Sequence, residues 1–509
     1  MKNKIIILIS AIFIAVLSSC SGFLDVYPTN QAPADQAIST AADAKVMISG
    51  LMRQFTSSSY YGRNMFLYGD TKGGDVTIVS MGRGSDALYL YNHSATTNPY
   101  SGYWSQIYYC ILQVNNLIAN IDKIDADGNG STTLSDYKAQ ALTMRAMLYF
   151  DLVRLYGKPY TEDNGVSFGV PMPLEVLDVY TQMTRSTVAE NYTQIVKDLT
   201  DAAPLFAASS KNKVNGYINY YANKAILARV YLYMGNNAGA LTAAEEIITD
   251  NKYTLYSEKN PDGTESNNKW VDSWASEFGS ESILELGIYQ DEADLGTGSL
   301  GYYFIRFGKK TSAMGWFLAS DFFLNRLGED PDDIRWGIMD YDEIEDDSKK
   351  SATIPDVDRH GSCNKYIGDI NGNGDKGSVS AVNIKVIRLS EVYLIAAEAA
   401  FPTDKTKAAG YLNQIRKRSP NLAPATASTV TVDMILSERS KELYMEGHRF
   451  FDMMRLNKTI NFDDSHLGTS TVMTRPTSID RSYYKTILPI SKTEIDANPS
   501  IATQQNPGY

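Results

Sequence analysis

Oxygen-bearing side chains recur at alternate positions in two places, a spacing that suits a hard cation. Asp125-Ala126-Asp127-Gly128-Asn129-Gly130 continues to Asp136, twelve residues from the first ligand, with Asp where a calcium loop usually carries a bidentate Glu. Asp369-Ile370-Asn371-Gly372-Asn373-Gly374-Asp375 repeats the pattern, but its twelfth position is Ser380, so a last ligand must come from elsewhere. Both stretches are read as possible structural calcium sites; the alternative is a polar Asx-Gly turn. No cofactor is required by either. Aromatic chemistry concentrates in two Gly-, Ser- and Asn-rich loops. One holds Tyr89, Tyr91, Asn92, Asn98 and Tyr100; the other holds Tyr302, Tyr303 and Trp316, flanked by Gly298, Gly301 and Gly315. Rings that stack on pyranose faces, beside amides that grip hydroxyl pairs, are what a carbohydrate site needs. These eight residues are the ligand-binding candidates, and Trp316 is the first choice among them.

A third chemistry sits near the start. Lys2 and Lys4 precede an apolar run from Ile5 to Leu17, followed by Leu17-Ser18-Ser19-Cys20. The run has signal-peptide length and falls short of the ~20 apolar residues a membrane span needs. A Leu-small-small-Cys ending predicts cleavage before Cys20 and acylation of its thiol and new amine, as in bacterial lipoproteins.

These sites need elements to hold them. Apolar residues at three- and four-residue steps predict helices at 35–55, 103–122, 135–156, 186–205, 217–234 and 238–249. Two helical hairpins carry small alanines 12 residues apart, Ala228 with Ala240 and Ala396 with Ala408. Such spacing lets paired helices pack closely, as in tetratricopeptide repeats. Charges at three- and four-residue steps predict one long helix over 432–455. Arg145, Glu438, Arg439, Glu442 and Arg449 are expected to form ion pairs between helices, and Trp104 to lie in the core. The chain divides into a signal peptide (1–19), a tether (20–34), a helical part (35–254), a loop-rich insertion (255–385) and a C-terminal helical part (386–509). The fold class is mainly α.

Totals exclude several functions. The net charge of −12 argues against a nucleic-acid or anionic-membrane surface. Only four histidines are present, at no metal-ligand spacing, and no nucleophile elbow or phosphate loop accompanies them, so no enzyme is expected. Cys110 and Cys363 can pair or remain two buried thiols. Tyr outnumbers Phe 34 to 17, which suggests wet, half-exposed aromatic surface.

Several pieces in order resemble the SusD/RagB family of outer-membrane lipoproteins. They are Phe23-Leu24-Asp25 with Pro28; Trp104 through Tyr108 with Asn115-Asn116; Arg145-Ala146 with Tyr149-Phe150 and Leu155-Tyr156-Gly157; Ala228 through Leu232; Ile387 through Glu391 with Ala397-Glu398-Ala399; and Leu412 through Arg416. The most specific are Glu438-Arg439 through Glu446-Gly447-His448-Arg449 with Asp452, and the ending Gln505-Asn506-Pro507-Gly508-Tyr509. The resemblance implies a tetratricopeptide-like fold and a ligand site on loops in about the two aromatic regions. It also implies an oligo- or polysaccharide ligand, or a peptide in the RagB branch, and a SusC-like TonB-dependent transporter as partner. A surface glycosidase and a transporter cap without a ligand are the remaining readings.

Overall fold

Thr40 opens the first helix, α1 (Ala41–Phe55), with a capping box: its hydroxyl accepts the Asp43 N–H, and the Asp43 carboxylate accepts the Thr40 N–H. Two of the donors that a first helical turn leaves unpaired are thereby satisfied. The computed structural model describes residues 38–82, 86–97, 102–178, 180–256, 269–288, 295–306, 313–342, 359–368, 380–468 and 470–509. After α1 come α2 (Asn64–Thr71), β1 (Val76–Ile78), α3 (Gly102–Ala126) and α4 (Thr132–Tyr156). Ser131 caps α4 and Gly157 ends it. Next are α5 (Val188–Ala202), capped by Thr187, α6 (Tyr220–Tyr233), capped by Asn219, and α7 (Asn237–Asp250), capped by Asn236. Each cap is a side-chain oxygen accepting a first-turn N–H.

The following stretch has short elements: β2 (Ser282–Leu286), α8 (Leu300–Phe304), β3 (Phe317–Ala319), α9 (Asp321–Leu327), β4 (Met339–Asp340) and β5 (Ser362–Cys363). β6 (Ile384–Arg388) then runs directly into α10 (Leu389–Ala400) and α11 (Lys405–Arg416). The chain ends with α12 (Val432–Glu442), α13 (Arg449–Arg455), β7 (Ile460–Asn461), β8 (Ser478–Ile479) and α14 (Lys492–Ala497).

Neighbouring helices stack in series: α3 on α4, α4 on α5, α5 on α6, α6 on α7, α7 on α10, α10 on α11 and α11 on α12. The α7–α10 contact is direct although 251–388 lie between them in sequence. Ala240, Ala244, Ala396 and Ala408 are all buried, so the small side chains allow the close approach their spacing predicts. Among the described residues there are four antiparallel two-stranded ladders: β1–β3 ties the intervening segment to the N-terminal part, β2–β6 ties it to the strand that leads into α10, β4–β5 lies within that segment and β7–β8 within the tail. In the first, Val76 faces Ala319 and Ile78 faces Phe317.

The expected continuous helix at 432–455 is two helices. The chain leaves α12 after Glu442 and turns through Met445 and Gly447, both with positive φ, before α13. A Cβ on Gly69 of α2 would collide with the Gly447 backbone, so the break lets two glycines meet. The charges that suggested one helix instead reach partners far away. Arg388 spans Glu281 (3.0 Å), Glu442 (3.1 Å) and Glu446 (2.7 Å), and Arg418 spans Glu281 (2.6 Å) and Glu442 (2.9 Å). Arg335 meets Asp333 and Glu438, each at 2.6 Å, and Lys365 meets Glu446 at 2.6 Å. All of these groups are buried. Arg145–Asp198 (2.8 Å), Arg439–Asp452 (2.8 Å) and Arg449–Asp75 (3.1 Å) complete the expected ion pairs. Trp104 is buried. Cys110 and Cys363 are separate free thiols, each pushed up to about 12 by burial.

Candidate ligand-binding surface

Two of the candidate tyrosines face inward. Tyr89 and Tyr91 are 0% exposed. The Tyr89 hydroxyl donates to the Asp463 carbonyl (2.8 Å) and Asp464 Oδ1 (2.6 Å), with Arg475 4.7 Å from the ring centroid. The Tyr91 hydroxyl donates to the Lys72 carbonyl (3.0 Å), and Lys72 Nζ lies 4.2 Å from its ring centroid. Each hydroxyl has a buried acceptor, so the whole ring can leave water, and neither face is available for a sugar. Asn92 is exposed, while Asn98 and Tyr100 lie outside the described residues. Trp316 is 5% exposed and joins the main core, which removes it as a surface platform. Its neighbour Gly315 takes φ +52°, and a Cβ there would strike the Arg306 backbone; the tight crossing turns Trp316 inward.

Tyr302 and Tyr303 come to the surface together. The Ser299 hydroxyl caps α8 by accepting the Tyr302 N–H (3.2 Å). Leu300, Gly301 and Phe304 form the buried side of this short helix, leaving Tyr302 and Tyr303 half-buried on the other. The Tyr302 carbonyl accepts the N–H groups of Met314 (2.8 Å) and Gly315 (3.3 Å), which straps the 313–315 backbone against α8. Tyr303 stacks on Phe317 (6.2 Å, 25°). The Arg63 guanidinium lies 5.3 Å from the Tyr303 centroid and donates to its hydroxyl (3.3 Å). Tyr302 meets Tyr303 edge-on (5.5 Å, 75°), so Tyr303 is braced while Tyr302 carries the less engaged ring. Ser57, Ser58 and Ser59 are half-exposed on the turn before α2, and Ser58 lies beside Gly298. Aromatic ring, guanidinium and hydroxyls together can hold a polyhydroxylated ligand. Arg63 and the serine turn were missed from sequence because nothing local links residues 57–63 to 298–303.

The first cation loop does not close. Asp125 lies in the last turn of α3, where Asp127 N–H bonds the Lys123 carbonyl (3.0 Å) and Asn129 N–H bonds that of Ile124 (3.1 Å). Ser131 starts α4 at once, placing Asp136 more than one turn inside it on the buried face. There Asp136 accepts the Ala207 N–H (2.8 Å) and the Gln140 amide (3.0 Å). It therefore turns away from Asp125, Asp127 and Asn129, which stay exposed. Asp369, Asn371, Asn373 and Asp375 lie outside the described residues, as does Cys20.

Among the described residues, no helix is long and apolar enough to cross a membrane. Residues 333–509 match a family model described as the SusD family, and residues 22–232 match one described as starch-binding, associating with the outer membrane. The segment carrying Tyr302, Tyr303 and Trp316 falls between the two matches. A solved SusD superfamily structure from Bacteroides thetaiotaomicron is similar at a TM-score of 0.82 and 34% identity, covering 92% of this chain and 100% of that one. A SusD-like protein of Formosa agariphila is 23% identical over 500 residues, 90% of this chain and 92% of its own. The starch-binding protein SusD of Bacteroides thetaiotaomicron is 32% identical over 127 residues, 25% of this chain and 22% of that protein.

Proposed function

The chain belongs to the SusD family, and on that premise we propose that it is a non-catalytic glycan-binding lipoprotein of the outer membrane. It captures oligo- or polysaccharide and passes it to a SusC-like TonB-dependent transporter, held to the membrane by acylated Cys20. The observation that carries the reading is the half-buried Tyr302–Tyr303 pair braced by Arg63. Tyr302 offers a ring face to a pyranose, while Arg63 and the serine turn supply donors for its hydroxyls. No titrating group is needed for this role, in keeping with capture rather than bond cleavage.

The test is affinity electrophoresis and calorimetry of the mature protein against a panel of polysaccharides. One or more glycans should bind, and Tyr302→Ala should weaken binding about tenfold, roughly 1.4 kcal/mol. Peptide retention without any glycan signal would overturn the glycan reading. Glycan binding untouched by Tyr302→Ala would move the site elsewhere and leave the function standing. Fatty-acid labelling lost in Cys20→Ala tests the anchor, and co-purification with a barrel protein tests the partner.

A further inference from the structure

After β7 the chain places Asp463 and His466 on one turn, and Asp321 opens α9 beside them. His466 Nε2 stands 3.4 Å from Asp321 Oδ1 and 3.5 Å from Asp463 Oδ2. One donor atom from each residue lies within 4.8 Å of the others, the one such group among the described residues. His466 is 5% exposed, and neither ring nitrogen makes a hydrogen bond of good geometry. A buried imidazole facing two carboxylates without a hydrogen bond leaves polar atoms unsatisfied. These separations fit a tetrahedral ion: metal–nitrogen and metal–oxygen bonds of about 2.0–2.2 Å set donors about 3.3–3.5 Å apart.

The surroundings fit as well. Asp463 Oδ2 accepts the Asp321 N–H (2.8 Å), and its Oδ1 accepts the Ser465 hydroxyl (2.6 Å) and N–H (3.2 Å). Asp321 Oδ1 accepts Arg359 Nε (2.9 Å). Metal-binding carboxylates are held by such outer hydrogen bonds. Arg359 is itself occupied by Asp342 (2.5 Å) and the Ala319 carbonyl. Asp321 and Asp342 share that one guanidinium, Asp463 adds a third negative charge beside Asp321, and a dication balances the remainder. The Asp321 side chain is 53% exposed, which gives an entry path and an open fourth position. Imidazole with carboxylates favours zinc-class ions over calcium or magnesium.

We propose that Asp321, Asp463 and His466 bind a divalent transition-metal ion of the zinc class, with water in the fourth position. The ion fastens α9 to the β7–β8 connection, at a junction where Thr77 and Tyr89 already donate to the Asp463 carbonyl (2.7 and 2.8 Å). It is a structural clasp, independent of the glycan reading.

The test uses tag-free, chelator-treated protein titrated with cobalt(II), then zinc. One equivalent of cobalt should give the intense visible absorption of a tetrahedral site, and zinc should displace it and raise the melting temperature. Asp321→Asn, at an exposed position that leaves the core intact, should weaken binding about tenfold, and His466→Gln should abolish the band. A wild type with neither cobalt band nor zinc-dependent melting overturns the proposal. So do variants that bind as the wild type does.

Discussion

Glu446→Gln should unfasten the inserted segment from the helical frame. Glu446 Oε1 accepts Lys365 Nζ (2.6 Å) and Arg388 Nη2 (2.7 Å), and Oε2 accepts Arg388 Nε (2.8 Å). Glutamine turns an N–H2 toward one of these donors and removes the charge. Arg388 keeps Glu281 and Glu442, but Lys365 is left with the Glu442 carbonyl (3.0 Å) and the Trp274 ring (4.4 Å). Breaking a buried pair from one side costs about 3–5 kcal/mol, since the partner stays buried and unpaired. Lys197→Ala is the control: it ends an exposed Lys197–Asp201 pair, with the lysine 61% exposed, and should leave the urea midpoint unchanged. Burial already pulls the Lys365 ammonium below its usual range, with Glu446 opposing that pull. In the variant the opposition is gone. The folded value lies below the unfolded 10.5, so the penalty is full at low pH and fades as pH rises between the two. The loss should therefore be larger at pH 6 than at pH 9. Urea unfolding followed by tryptophan emission reads it, since Trp270 and Trp274 border the network. Adding Lys365→Met should restore part of the stability. A loss under about 1 kcal/mol, or a double variant worse than the sum of the singles, would refute the reasoning.

Acid should weaken that network and the separate buried Arg229–Glu391 pair (2.6 Å). Burial alone would raise Glu442, but Arg418, Arg388 and Arg335 outweigh it and hold the carboxyl at about 2; Arg229 and His448 likewise hold Glu391 at about 2 against its burial. Both folded values lie below the ordinary 4.5, so their contribution is full above about 4.5 and lost as pH falls toward 2, about 1.4 kcal/mol per unit for each. A urea midpoint at pH 3 equal to that at pH 6 would contradict this. Gly69→Ala, which drives a methyl into the Gly447 backbone, should cost about 2 kcal/mol or more, while Gly50→Ala, in open space on α1, should be neutral or stabilising. Equal melting temperatures for the two variants would show that the α2 approach to the α12–α13 break is loose.

How far a residue's neighbours in sequence decide its role separates what was legible from what was not. The helices of the frame rest on local features: apolar steps of three and four, and caps such as Ser131, Thr187 and Asn219. All of these are visible without a fold, and so was the alanine spacing that brings α6 to α7 and α10 to α11. The long charged helix failed because Glu438, Glu442 and Glu446 repeat as surface charges do, yet answer arginines and a lysine from 335, 365, 388 and 418. Tyr89 failed for the same reason. An amphipathic ring tells its place only through its acceptor, and that acceptor is Asp463. Asp463 and His466 stand three apart and could be read as a pair, but Asp321 arrives by the fold alone. Tyr302 and Tyr303, singled out from sequence as aromatics in a glycine-flanked loop, stay half-buried because the short α8 has its buried side taken by Leu300, Gly301 and Phe304. The groups that complete the proposed ligand surface, Arg63 and the serine turn, come from the N-terminal part of the chain. A search for further ligand contacts should therefore scan 57–63 together with 295–303.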